Sequence, residues 1–128
     1  MSDITTQIFV ESRYRVSRKK IKETVNRVIS DRGITTPVEV SIAIVGDRKM
    51  RALNKKYRNL DKTTNVLSFS QTEGEGMVIK SDKLILGDVI ISYPVIINEA
   101  SFENKLVDDK ICFWVAHGLQ HLLGEHHE

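Results

Sequence analysis

The chain has 128 residues, 41% hydrophobic and 28% charged, with 19 basic against 17 acidic side chains. That is the make-up of one globular domain that buries its own core without disulfide staples. It is globular rather than disordered in character, and the charge excess is too small to argue for nucleic-acid binding on its own.

No apolar run approaches the ~20 residues of a bilayer-spanning helix. The first residues, Met1-Ser2-Asp3-Ile4-Thr5-Thr6, lack the basic-then-apolar pattern of a secretory signal. The one cysteine, Cys112, sits in the apolar run Ile111-Cys112-Phe113-Trp114-Val115-Ala116 and reads as a buried, inert thiol. A soluble, cytoplasmic, single-domain protein over residues 1–128 is expected.

Residues 4–10, with β-branched side chains and Phe9, predict a first strand. Ser17 is a plausible cap for a helix in which Ile21, Val25, Val28 and Ile29 recur at helical spacing. That helix should stop at Gly33. Residues 38–45 start in alternation and end continuously apolar, as in a strand deep in a sheet. Asp47 can cap a second helix with Met50, Leu53 and Tyr57 on its apolar side and Arg48, Arg51, Lys55 and Lys56 on the other.

Residues 59–65 form a polar connection, and Val66-Leu67-Ser68-Phe69 a short strand. Residues 71–83, with Gly74 and Gly76, read as a loop or hairpin. Residues 84–91 read as a strand interrupted at Gly87. Pro94 suits the first turn of a helix over residues 95–102. The last helix spans about 106–123, with Gly124 as a left-handed stop. The order predicts an α/β fold: a small mixed sheet of about four strands packed with helices.

All four histidines fall in the last twelve residues: His117, His121, His126 and His127. His117 and His121, four apart on a helix, share a face one turn apart. A transition metal takes neutral imidazoles at ~2.0–2.1 Å, and catalytic zinc commonly has three protein ligands and an open position. Gly124 lets the chain turn back, which makes His127 the third candidate. The resulting His-x3-His-x5-His spacing, glycine included, is that of a zincin-like site. Adjacent residues point differently, so His126 is left beside the metal or in solvent. A purification-tag remnant would explain His126 and His127 but not two histidines inside an apolar helix.

Zinc peptidases of the His-Glu-x-x-His type carry a general base directly after the first histidine. Here that position is Gly118, which takes no proton. Chemistry at this site must rely on the metal lowering the pKa of its water, or on another base.

The tail resembles the C-terminal His-Gly-x-Leu-His-Leu-x-Gly-Tyr-Asp-His motif of the YbeY family of metal-dependent endoribonucleases. It departs at Gln120, Glu125 and His126. Two internal segments are similar as well: Leu53-Asn54-Lys55-Lys56-Tyr57-Arg58 with Asp61 and Thr64-Asn65-Val66-Leu67-Ser68-Phe69, and Leu86-Gly87-Asp88-Val89-Ile90-Ile91-Ser92. The resemblance runs in order along essentially the whole chain.

It implies a small α/β sandwich with one divalent metal ion, expected to be zinc (or nickel in a purified sample), on His117, His121 and His127. It implies metal-assisted cleavage of phosphodiesters in single-stranded RNA, in ribosomal RNA maturation and ribosome quality control. RNA and the ribosome or its associated proteins are the expected partners, and no membrane is. Arg58 maps to an arginine important for activity, which would bind a phosphate or steady its growing charge. Asp88, His126 and Asn65, the last in place of the family's aspartate, are candidates to surround the site. Arg48, Arg51, Lys55 and Lys56 are candidates to track the RNA backbone. A metallopeptidase or other amide hydrolase, and a non-catalytic ribosome-assembly factor with a structural metal, are the alternatives.

Overall fold

The computed structural model describes residues 3–70, 79–80 and 83–124. The elements are β1 (Ile4–Val10), α1 (Arg18–Asp31), β2 (Val38–Val45), α2 (Asp47–Arg58), β3 (Val66–Ser70), β4 (Ile79–Lys80), β5 (Lys83–Ser92), α3 (Tyr93–Glu103) and α4 (Val107–Leu122). The expected mixed sheet and four helices are present. The main sheet has the order β1-β2-β5-β3, with β1, β2 and β5 parallel and β3 antiparallel at the edge. A fifth, two-residue strand, β4, pairs antiparallel with β5, Ile79 opposite Leu84 and Lys80 opposite Lys83. The rest of the expected 71–83 loop lies outside the described residues.

Alternation divides the sheet into two faces. Val38, Val40, Ile42 and Ile44 of β2 and Val89 and Ile91 of β5 are buried with Ile21, Val25 and Ile29 of α1, Ile96 of α3, and Ile111, Val115 and Leu119 of α4. The opposite face carries a smaller core in which Val45 and Leu67 meet Met50 of α2, with Leu53, Phe69 and Ile90 beside them.

Helix starts follow local chemistry. Ser17 Oγ accepts from Lys20 N at 3.2 Å and begins α1. Ser92 Oγ accepts from Val95 N at 3.3 Å, so α3 begins at Tyr93, just before Pro94. Asp47 is not the cap of α2: Gly46 holds that position, and Asp47 lies in the first turn. Its Oδ1 instead accepts from Thr63 Oγ1 at 3.1 Å and Ser92 Oγ at 3.0 Å, tying three segments together.

Gly87 does not interrupt β5. The strand runs through it, with an irregularity in the pairing with β2 between Glu39 and Val40. Glycine is needed here because φ is +135° and any Cβ would collide with the Phe69 carbonyl oxygen. Helix α4 ends as expected, with Gly124 at φ +87°. Cys112 is only half-buried. Among the described residues no helix is long and apolar enough to cross a membrane.

Candidate metal centre and its surroundings

Helix α4 is amphipathic in a way that separates packing from chemistry. Ile111, Val115, Gly118 and Leu119 are buried on its inner side. His117 is half-buried and His121 exposed on the flank. Their Nε2 atoms stand 3.1 Å apart. Two nitrogens each ~2.0–2.1 Å from one tetrahedral ion would be roughly 3.3–3.4 Å apart. The pair is thus set for a shared ion with little adjustment, and the donors are the imidazoles such an ion takes. Burial, then the neighbouring His121, lowers the His117 pKa and favours the neutral ring that a ligand must be. Among the described residues no third histidine, cysteine or carboxylate joins the pair. The expected third ligand, His127, and its neighbour His126 lie outside the described residues.

Gly118 faces away from this pair. A Cβ there would lie 2.6 Å from Val89 Cγ1 and 3.1 Å from Ser68 Oγ. The residue after the first histidine therefore points into the sheet. The missing peptidase base has a packing reason: α4 crosses β5 and β3 too closely to admit a side chain.

Arg58 ends α2, and α2 itself is stopped by Asn59 in the left-handed conformation, φ 60°. The guanidinium lies 4.9 Å over the Phe69 ring and donates from Nη2 to the Ser68 carbonyl at 3.1 Å. Because β3 is the sheet edge, that carbonyl is open to such a donor. Ser68 Oγ in turn lies 3.4 Å from the Gly118 carbonyl. Arg58 is thereby linked through one residue to the segment of α4 that carries His117.

Asp88 occupies the other face. It pairs with Ser41 and Phe69, whereas Val89, the next residue, faces α4. The sheet stands between Asp88 and the His117–His121 pair. Burial raises its pKa, and the Ser41 side chain partly offsets that.

Asn65 is placed on the α3–α4 side. Its Nδ2 donates to Glu99 Oε2 at 3.1 Å and its Oδ1 accepts from Val66 N at 2.8 Å. Glu99 Oε1 accepts from Trp114 Nε1 at 2.8 Å, and the Trp114 ring packs edge-on against His117 with centroids 5.0 Å apart. Asn65 therefore reaches the histidine through two intermediates. Trp114, one helical turn before His117, and Glu99 were missed in the sequence. The turn spacing between Trp114 and His117 could have pointed to Trp114, whereas Glu99 reaches it only through the packing of α3 on α4.

The basic residues of α2 are exposed but unequal. Arg51 Nε is bonded to Asp61 Oδ1 at 2.7 Å, and that guanidinium holds the Asp61 carboxyl below its ordinary range. Arg48 and Arg51 line one side of a shallow cavity of about 410 Å³ with Asp61 and Lys62. Lys56 Nζ sits 5.0 Å over the Tyr57 ring, itself 5.0 Å from Phe69. Lys55 lies on the exposed side of the same helix. Asn54, buried in the same helix, donates to the Lys62 carbonyl at 2.9 Å and anchors the connection to β3.

The family model described as Endoribonuclease YbeY matches residues 6–128. A relative from Acinetobacter baumannii named Endoribonuclease YbeY is 34% identical over 122 residues, 95% of this chain and 77% of its own. One of the same name from Desulforamulus reducens is 36% identical over 110 residues, 84% of this chain and 72% of its own. A solution structure of a Thermotoga maritima protein superimposes with a TM-score of 0.63 at 23% identity, covering 97% of this chain and 75% of that one. The last comparison concerns the fold alone.

Proposed function

The chain belongs to the YbeY endoribonuclease family, and we propose on that premise that it is a metal-dependent endoribonuclease of ribosomal RNA maturation. The observation that carries the site assignment is the convergence of His117 and His121 Nε2 at 3.1 Å. His127 is proposed as the third ligand of a zincin-like centre, and zinc as the ion. A divalent ion held there supplies Lewis-acid polarisation and a water of lowered pKa.

The other roles fall to the chain's own side chains. Arg58, fixed by the Ser68 carbonyl and the Phe69 ring, presents a planar fork suited to a phosphodiester oxygen and to the charge that grows on it during cleavage. Arg48, Lys55 and Lys56 follow the RNA backbone, with Arg51 shared between RNA and Asp61. Single-stranded segments of ribosomal RNA are the proposed substrate, in the cytoplasm and on or near the ribosome. The peptidase alternative is not favoured, since Gly118 lacks a base and faces Val89.

The test compares wild type with His117→Ala and His121→Ala on an RNA carrying unpaired segments, with a peptide panel alongside. Loss of both bound metal and RNA cleavage is expected, with no peptide hydrolysed by any form. Metal content and cleavage unchanged in both variants would overturn the assignment.

A further inference from the structure

The carboxylate of Glu99 is the meeting point of three other side chains. Its Oε2 accepts from Asn65 Nδ2 at 3.1 Å and its Oε1 from Trp114 Nε1 at 2.8 Å. Lys110 Nζ lies 3.6 Å from the same Oε1 and 3.0 Å from Glu103 Oε1. Lys110 is 7% exposed, and its ammonium also lies 5.9 Å from the centroid of the Trp114 ring. A carboxylate with one oxygen spoken for by an amide and the other by an indole cannot rotate without breaking both bonds. The indole is thereby held in one orientation, edge-on to the His117 ring at 5.0 Å.

We infer that Glu99 is a positioning residue for the metal centre: through Trp114 it fixes the ring of His117, and Asn65 is the neutral partner that makes this carboxylate tolerable. The inference rests on the reading of His117 as a ligand. A ligand ring that is already oriented loses less freedom when an ion arrives, so its orienting partners contribute to metal affinity. A carboxylate at position 65 would stand about 3.1 Å from that of Glu99, where two like charges oppose each other. Amide and acid thus divide between positions 65 and 99, and the acid sits at 99.

Reversing that division is the test. Glu99→Gln leaves two amides whose donors face each other, or turns its own donor towards the indole N–H. Asn65→Asp puts two acids together. The double variant restores one amide and one acid, with a carbonyl oxygen still available to Trp114.

Two readouts apply. The first, in metal-free protein, is the NMR shift of the His117 Cε1–H, which feels the ring current of Trp114. The second is the affinity for Co2+, read by quenching of the single tryptophan. Each single variant should move the His117 resonance and weaken Co2+ binding about tenfold. The double variant should return both towards wild type. Single variants that lower thermal stability alone, with shift and affinity unmoved, would overturn the inference, as would a double variant no better than Asn65→Asp. Wild type that binds no Co2+ would refute the metal reading itself. The metal-free shifts would then still decide whether Glu99 positions the ring.

Discussion

Gly118 of α4 and Val89 of β5 approach so closely that a Cβ on the glycine would come within 2.6 Å of Val89 Cγ1. The contact lets α4 lie low on the sheet, with its next turn bearing His121 and its preceding residue His117. Gly118→Ala should destabilise the fold by about 1–3 kcal/mol through overpacking, although alanine is the better helix former by ~1 kcal/mol. A urea titration measures the sum, and a stabilised variant would show that the two elements can part freely. Gly118→Glu should fold worse still and hydrolyse no peptide.

Chelation should abolish RNA cleavage, and one equivalent of a divalent ion should restore it. His121→Ala should weaken ion binding by more than about 100-fold, since losing an orienting partner alone costs 10–100-fold. The exposed His121 makes little core contact, so thermal unfolding of the metal-free variant should match wild type. Competition with a chromophoric chelator gives the affinity.

Arg58→Lys should lower the cleavage rate by about 10²-fold, with metal content intact. A lysine keeps the charge but lacks the planar fork that serves the Ser68 carbonyl and a phosphate together. Single-turnover rates at saturating RNA separate this loss from weakened binding.

Asp61 holds Arg51 in an exposed pair. Asp61→Asn should release the guanidinium, tighten RNA binding and steepen its dependence on log salt concentration by about 0.7. Binding isotherms between low and moderate salt read both effects. An unchanged slope would remove Arg51 from the RNA-contacting surface.

Asp88 carries a raised pKa, with burial as the larger cause. Between the ordinary carboxylate value and this raised one, the folded state holds more protons than the unfolded state. Stability therefore falls as pH rises through that window and stays reduced above it. Asp88→Asn removes the penalty while keeping the shape. The variant should exceed wild type in stability at neutral pH, and the difference should shrink as pH falls through the window. Denaturant midpoints across pH 3–8 test the sign.

The elements were legible in the sequence wherever burial imposes a period. Ile21, Val25, Val28 and Ile29 marked α1, the apolar alternation of residues 38–45 marked β2, and His117 and His121 shared a face by helical spacing alone. Boundaries set by local competition were not legible. Asp47 looked like a cap, but the pull of Thr63 and Ser92 on its carboxylate is visible only once those segments meet. Gly87 looked like a break, because a sequence does not show the carbonyl of Phe69 lying across it.

Chemistry along one helix is a local property, so the histidine pair could be read before any fold was known. Which face of the sheet a residue occupies is not local. Register put Asp88 with Ser41 and Phe69, away from His117 and His121. The pairing of β3 with β5 brought Ser68 beneath Gly118 and so joined Arg58 to α4. The packing of α3 on α4 brought Glu99 to Trp114. Residues 34 and 15 positions apart in the chain met at one carboxylate, because only a folded core brings distant polar groups close enough, and dry enough, to need one another.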